Sequence, residues 1–81
     1  MKLKILYRKN LKMSSGKIAA QCVHAAMGIG HDDYDMSIVV LKVSDKKFRE
    51  VRDNSRCFVV EEAGYTDIEP NTETCLAYYE E

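Results

Sequence analysis

Arg8-Lys9-Asn10-Leu11-Lys12-Met13-Ser14-Ser15-Gly16-Lys17-Ile18-Ala19-Ala20-Gln21-Cys22-Val23-His24-Ala25-Ala26 joins a strand to a helix whose first turn carries a lysine. Upstream of it, Lys2 to Arg8 alternates, with Leu3, Ile5 and Tyr7 on one side, which is the period of a half-buried strand. Downstream, the spacing predicts a first helix over residues 16 to 28, ended by Gly28 and Gly30. With Ser14 or Ser15 as N-cap, Gly16-Lys17 opens that helix, and its free backbone N–H groups add partial positive charge to the lysine ammonium. A phosphate, a carboxylate or a developing oxyanion is stabilised at such a terminus.

At about 100° per residue, Lys17, Gln21 and His24 fall within roughly 60° of one another on this helix. Ile18, Ala19, Ala20, Cys22, Val23, Ala25 and Ala26 make up the rest of it, small or apolar residues that allow a sheet or a ligand to approach closely. Two readings fit the spacing: a polar stripe that lines a site, and a solvated stripe on a packed helix.

Further along, His31-Asp32-Asp33-Tyr34-Asp35 reads as a polar connection, and Ser37 to Val43 as a buried, β-rich strand. Ser44 caps a short helix over about residues 45 to 53 that buries Phe48 and Val51. Cys57 to Glu61 is the third strand, Gly64 breaks it, Pro70-Asn71 makes a turn and Glu73 to Tyr79 forms the last strand. The order β-α-β-α-β-β implies an α/β fold with a small mixed four-stranded sheet and helices packed on it, because a strand-helix-strand unit crosses over between parallel neighbours.

At 81 residues, with no repeat, linker or low-complexity segment, residues 1–81 are expected to form one domain. So small a core is marginally stable, which makes association of two subunits an expectation. Three cysteines with no paired spacing argue against a disulfide framework and fit a reducing, cytoplasmic location. No apolar run reaches membrane-spanning length, and Lys2 and Lys4 inside a strand pattern do not make a signal peptide. The net charge is −1, but it is unevenly spread. Residues 1 to 31 contain Lys2, Lys4, Arg8, Lys9, Lys12 and Lys17 and no acid, whereas the remainder holds all 13 acids. A basic half that includes a helix N-terminus suits a phosphate-binding face, although uneven solvation gives the same pattern.

Leu11-Lys12-Met13, Gly16-Lys17, Ala19-Ala20-Gln21-Cys22 and His24-Ala25-Ala26 together resemble the N-terminal signature of the type 2 peptidyl-tRNA hydrolase family. Ala63-Gly64-Tyr65-Thr66-Asp67-Ile68-Glu69-Pro70, leading to Thr74, is similar to its C-terminal signature. The resemblance implies a small mixed four-stranded sheet and hydrolysis, with no metal or organic cofactor, of the ester between a peptide and the 3′ ribose of tRNA. It also implies that tRNA is the partner. By position, Lys17 matches the functional lysine, Thr66 and Thr74 match two site threonines, and Glu62 stands where an aspartate is usual. Gln21 and His24 would line the pocket, and Arg8 and Lys12 would contact the substrate. Asn10 replaces a usual acid and Asn71 a turn glycine, a place where Asn tolerates positive φ. The chain is also shorter than the family pattern between the first helix and second strand, and after the last strand. A non-catalytic module of the same fold that binds RNA or a protein is the rival reading, and Glu62 separates the two.

Other chemistries fit less well. Cys22 and His24 point about 200° apart on a helix, which argues against a direct thiol-base pair. Cys22, Cys57, Cys75, His24 and His31 show no metal-ligand spacing, and Asp32, Asp33 and Asp35 lack that of a calcium loop. Tyr78-Tyr79 reads as strand packing, with base stacking as the alternative.

Overall fold

The computed structural model describes residues 1–64 and 68–81. Its elements follow the expected order: β1 (Lys2–Arg8), α1 (Ser15–Gly28), β2 (Ser37–Val43), α2 (Asp45–Asn54), β3 (Cys57–Glu61) and β4 (Glu73–Glu80). The four strands form one mixed sheet in the order β2-β1-β4-β3. β1 runs parallel to β2 and antiparallel to β4, and β4 runs antiparallel to β3. β1, β2 and β3 therefore end at the same side of the molecule, where the chain enters both helices.

Local chemistry sets the element ends. Ser14 caps α1, its Oγ accepting the Lys17 N–H at 3.1 Å, and Ser44 caps α2 in the same way through Lys47 N–H at 3.2 Å. α1 closes in a Schellman turn: Gly30, at φ 79°, donates to Met27 O, and His31 N–H donates to Ala26 O. The turn before β4 is tied by Asn71 N–H to Glu62 O and Glu62 N–H to Thr72 O, both 2.8 Å. Asn71 occupies the left-handed region there, at φ 68°.

The helices cover opposite faces of the sheet. Leu3, Ile5, Val60, Cys75 and Ala77 pack with Ala25 of α1, while Leu6 and Leu76 pack with Phe48 and Val51 of α2. Full burial of the leucine, isoleucine, valine and phenylalanine side chains among them contributes about 1.5–3 kcal/mol each.

β2 corrects the sequence reading, because it is not a buried strand. It forms the sheet edge, with Ile38 51 %, Val40 45 % and Leu41 40 % exposed. α1 lies over β4, β3 and β1, and α2 lies mainly against β1, so only Val43 at the end of β2 packs on the α2 cluster and most of the strand is left uncovered. An unbroken apolar run is compatible with burial on both faces, but the coverage depends on where the helices sit. No helix among the described residues is long and apolar enough to cross a membrane.

Candidate active site

Glu62 directly follows β3, and Lys17 lies in the first turn of α1 above it. The ammonium Nζ sits 2.5 Å from Glu62 Oε2, with the carboxylate side chain only 2 % exposed and the lysine 20 %. Glu62 Oε1 accepts the Gly64 N–H at 3.3 Å, which turns the carboxylate back toward the helix. Gly64 is suited to this bend, since it sits at φ 90° and a Cβ there would lie 3.0 Å from the Pro70 ring. Burying a carboxylate is costly unless it is paired, so Lys17 is also what permits Glu62 to sit there.

Thr74 reaches the same face through an irregularity in the sheet. Val60 pairs with Cys75 but Glu61 pairs with Glu73, so Thr74 has no partner across the ladder and forms a bulge. The Glu73 carboxylate meets Arg52 of α2, whereas Thr74 and Cys75 both turn toward α1. Gln21 Nε2 donates to Thr74 Oγ1 at 3.0 Å, and that hydroxyl donates to Val60 O at 3.4 Å. Both residues are buried, so the chain from Gln21 to the Val60 carbonyl holds the hydroxyl in one orientation.

Lys17, Gln21, His24 and Glu62 line one cavity of about 400 Å³, with Thr74 beneath Gln21. His24 is exposed at its rim. Thr66 lies outside the described residues. Arg8 and Lys12 do not line this cavity. The Arg8 guanidinium is occupied elsewhere: Nε and Nη2 donate to Asp45 at 2.9 and 3.1 Å, and Nη1 donates to Glu73 O at 2.8 Å. Asp45 accordingly holds the guanidinium pKa above its ordinary value, and the guanidinium holds the Asp45 carboxyl below its own. Lys12 is exposed in the connection that leads into α1.

Phe58 and Val60 also line the cavity, and they escaped the sequence reading although the alternation in β3 carries the signal. Phe58, Val60 and Glu62 share a parity, so all three face α1. A larger cavity of about 810 Å³ lies beyond Phe58 and lacks the Lys17–Glu62 pair. Burial raises the Cys22 and Cys75 thiols, Cys75 the more, so neither is a ready nucleophile. Among the described residues no cluster of three His, Cys, Asp or Glu side chains is placed to hold a metal ion.

An ammonium and a carboxylate at the wall of one cavity can bind a water, orient it and receive its proton, and stabilise negative charge on a carbonyl oxygen. Comparison with known proteins points the same way. A family model described as peptidyl-tRNA hydrolase PTH2 matches residues 1–79. The peptidyl-tRNA hydrolase of Haloquadratum walsbyi is 36 % identical over 93 residues, covering 95 % of this chain and 83 % of its own. That of Thermoplasma acidophilum is 35 % identical over 94 residues, covering 93 % and 80 %. The Methanopyrus kandleri protein of the same name is 34 % identical over 90 residues, covering 89 % and 78 %.

Proposed function

This chain belongs to the PTH2 family of peptidyl-tRNA hydrolases, and from that premise we propose that it hydrolyses the ester of peptidyl-tRNA at the Lys17–Glu62 pair. The observation that carries the reading is a buried carboxylate held against a helix-terminal ammonium at the wall of a cavity.

Glu62 accepts a proton as a water oxygen attacks the ester carbonyl carbon. The carbonyl π electrons move to oxygen, and Lys17 turns from the neutralised carboxylate to the new oxyanion. The counter-charge of Lys17 thus changes partner during the step, which stabilises the transition state more than the ground state. Collapse of the tetrahedral centre breaks the bond to the ribose 3′ oxygen, and Glu62 returns the proton to that leaving oxygen. Free tRNA and a peptide carboxylic acid result, and the acid releases its proton to solvent. Thr74, oriented by Gln21, and Thr66 position the water or the ribose, and His24 borders the entering substrate.

The tRNA approaches the end of the sheet where β1, β2 and β3 finish. Exposed Lys9, Lys12, Lys46 and Lys47 gather there beside the start of both helices, a pattern that suits a phosphate backbone. Residues 1–81 act as one domain in the cytoplasm, with Cys22, Cys57 and Cys75 reduced. The small core and the uncovered side chains of β2 favour two associated subunits, which light scattering would detect as twice the chain mass.

The direct test is release of free tRNA from an N-blocked aminoacyl-tRNA by the native chain and by Lys17→Ala and Glu62→Ala. Turnover by the native chain, lost in both folded variants, supports the reading. Binding of tRNA without cleavage by the native chain overturns it in favour of an RNA-binding module.

A further inference from the structure

The two cavities flank Phe58, which is 39 % exposed and is a wall of both, and together they follow β3 as a trough with that ring between its halves, from the Lys17–Glu62 pair to Gly28 and Tyr79. β3 is an edge strand, paired among the described residues with β4 alone. α1 approaches β3 closely at Phe58, whose ring rests on the Gly28 backbone; a Cβ at residue 28 would lie 2.1 Å from that ring. The trough is apolar along Phe58, Val60 and Ile29, and among the described residues Arg56 is the one charged residue that lines the larger cavity.

The substrate has two parts of opposite character, a phosphodiester chain and a peptide. A phosphodiester chain needs cations at intervals, and Lys9, Lys12, Lys46 and Lys47 stand at the end where the strands finish. The trough leads away from that end and offers apolar walls and an open strand edge. Resting on the hydrolase reading above, we propose that the trough seats the peptide part of peptidyl-tRNA, extended along β3 with its ester at Lys17–Glu62 and its N-terminal side toward Tyr79. Peptides of any sequence have to be accepted by an enzyme of this activity. An open strand edge binds backbone N–H and C=O groups without regard to side chains, and an apolar wall adds non-directional contact.

The geometry sets a length scale. At about 3.3 Å per residue, the four steps from Glu62 to Phe58 span about 13 Å and the seven to Ser55 about 23 Å. An extended peptide therefore meets Phe58 with about its fourth residue and fills the trough with about six or seven.

The experiment compares kcat/KM for one tRNA carrying an N-acetylated single residue, a dipeptide, a tetrapeptide and a hexapeptide with the same C-terminal residue. The native chain is expected to gain about tenfold between one and six residues and then level off, the size of effect that an added apolar contact gives. Tyr79→Ser, at the far end, should flatten the rise between four and six residues, and Tyr79→Phe should keep it. Hydrolysis that is equal at every length overturns the proposal and leaves the hydrolase reading standing. A Tyr79→Ser loss that is the same for all four substrates overturns it too, by assigning the trough to RNA. No hydrolysis of any of them overturns both readings. The native length series decides the matter even where the variant fails to fold.

Discussion

Lys17–Glu62 and Arg8–Asp45 occupy matching places in the fold, each joining the first turn of a helix to the end of a strand at the same side of the sheet. Their polarity is opposite. In α2 the acid sits in the first turn, where Asp45 meets the positive end of the helix dipole, and a two-pronged guanidinium grips it from β1. In α1 the first turn holds no acid and the cation is there instead, against the dipole, while the carboxylate is buried below it. One arrangement satisfies the local rules and leaves the guanidinium no spare capacity at that carboxylate. The other breaks them and opens onto a cavity. A pair that costs stability locally and faces a ligand-sized space is where chemistry is expected, and a pair that agrees with every local preference is where a fold is fastened.

Removing the ammonium should break the comparison most severely. Lys17→Ala is expected to lower kcat by about 10²–10³, the loss seen when one oxyanion donor is removed, with circular dichroism confirming that the variant is folded. A loss below tenfold would take the oxyanion role away from Lys17.

Glu62→Asp tests reach rather than charge. The glutamate already spans the gap to Lys17, so shortening it by one methylene withdraws the carboxylate from the ammonium and from the water site. Misplacement on the order of 1 Å costs about a hundredfold, and kcat/KM should fall by about ten- to a hundredfold. A rise instead would mean that an aspartate serves this backbone better and that the native residue impairs the site.

Strand and helix positions were legible because each has a local cause: alternation in β1, serine caps before both helices, and Gly30 and Asn71 at positive φ. Lys17, Gln21 and His24 were legible as one face because a helix fixes their angle. What a residue meets from far along the chain was not. Nothing near Arg8 in sequence announces its partner Asp45, 37 residues away. β2 reads alike whether helices cover it or not. Thr74 is the subtlest case. In a regular strand its parity with Leu76 would aim it at α2, and only the bulge opposite Val60–Glu61 turns it to α1.

That bulge gives the next prediction. Thr74→Val keeps the shape but leaves Gln21 Nε2 without its Thr74 acceptor. Stranding buried polar groups costs about 1–3 kcal/mol each, which urea unfolding should register as a lower midpoint. Activity should fall by about tenfold, the lower range for loss of one positioned group. A stability loss with unchanged kcat would reduce Thr74 to a fastening residue, on the Arg8–Asp45 side of the comparison.

Asp45→Asn should change activity least, because the site does not use that carboxylate. Its effect belongs to acid stability, and the sign follows from linkage. Arg8 holds the Asp45 carboxyl below its ordinary value in the folded protein. Below about pH 4, the ordinary aspartate range, the unfolded chain takes up that proton more readily than the folded one, so acid favours unfolding. The contribution is present above that range and is lost as pH falls through the folded pKa. The native melting temperature should therefore drop on acidification, and Asp45→Asn, with no proton to bind there, should show a lower plateau at neutral pH and a shallower acid limb. Its kcat/KM should stay within about twofold of native, the scale of surface changes away from a site. An activity loss matching that of Lys17→Ala would mean that the two pairs act as one network across the sheet end.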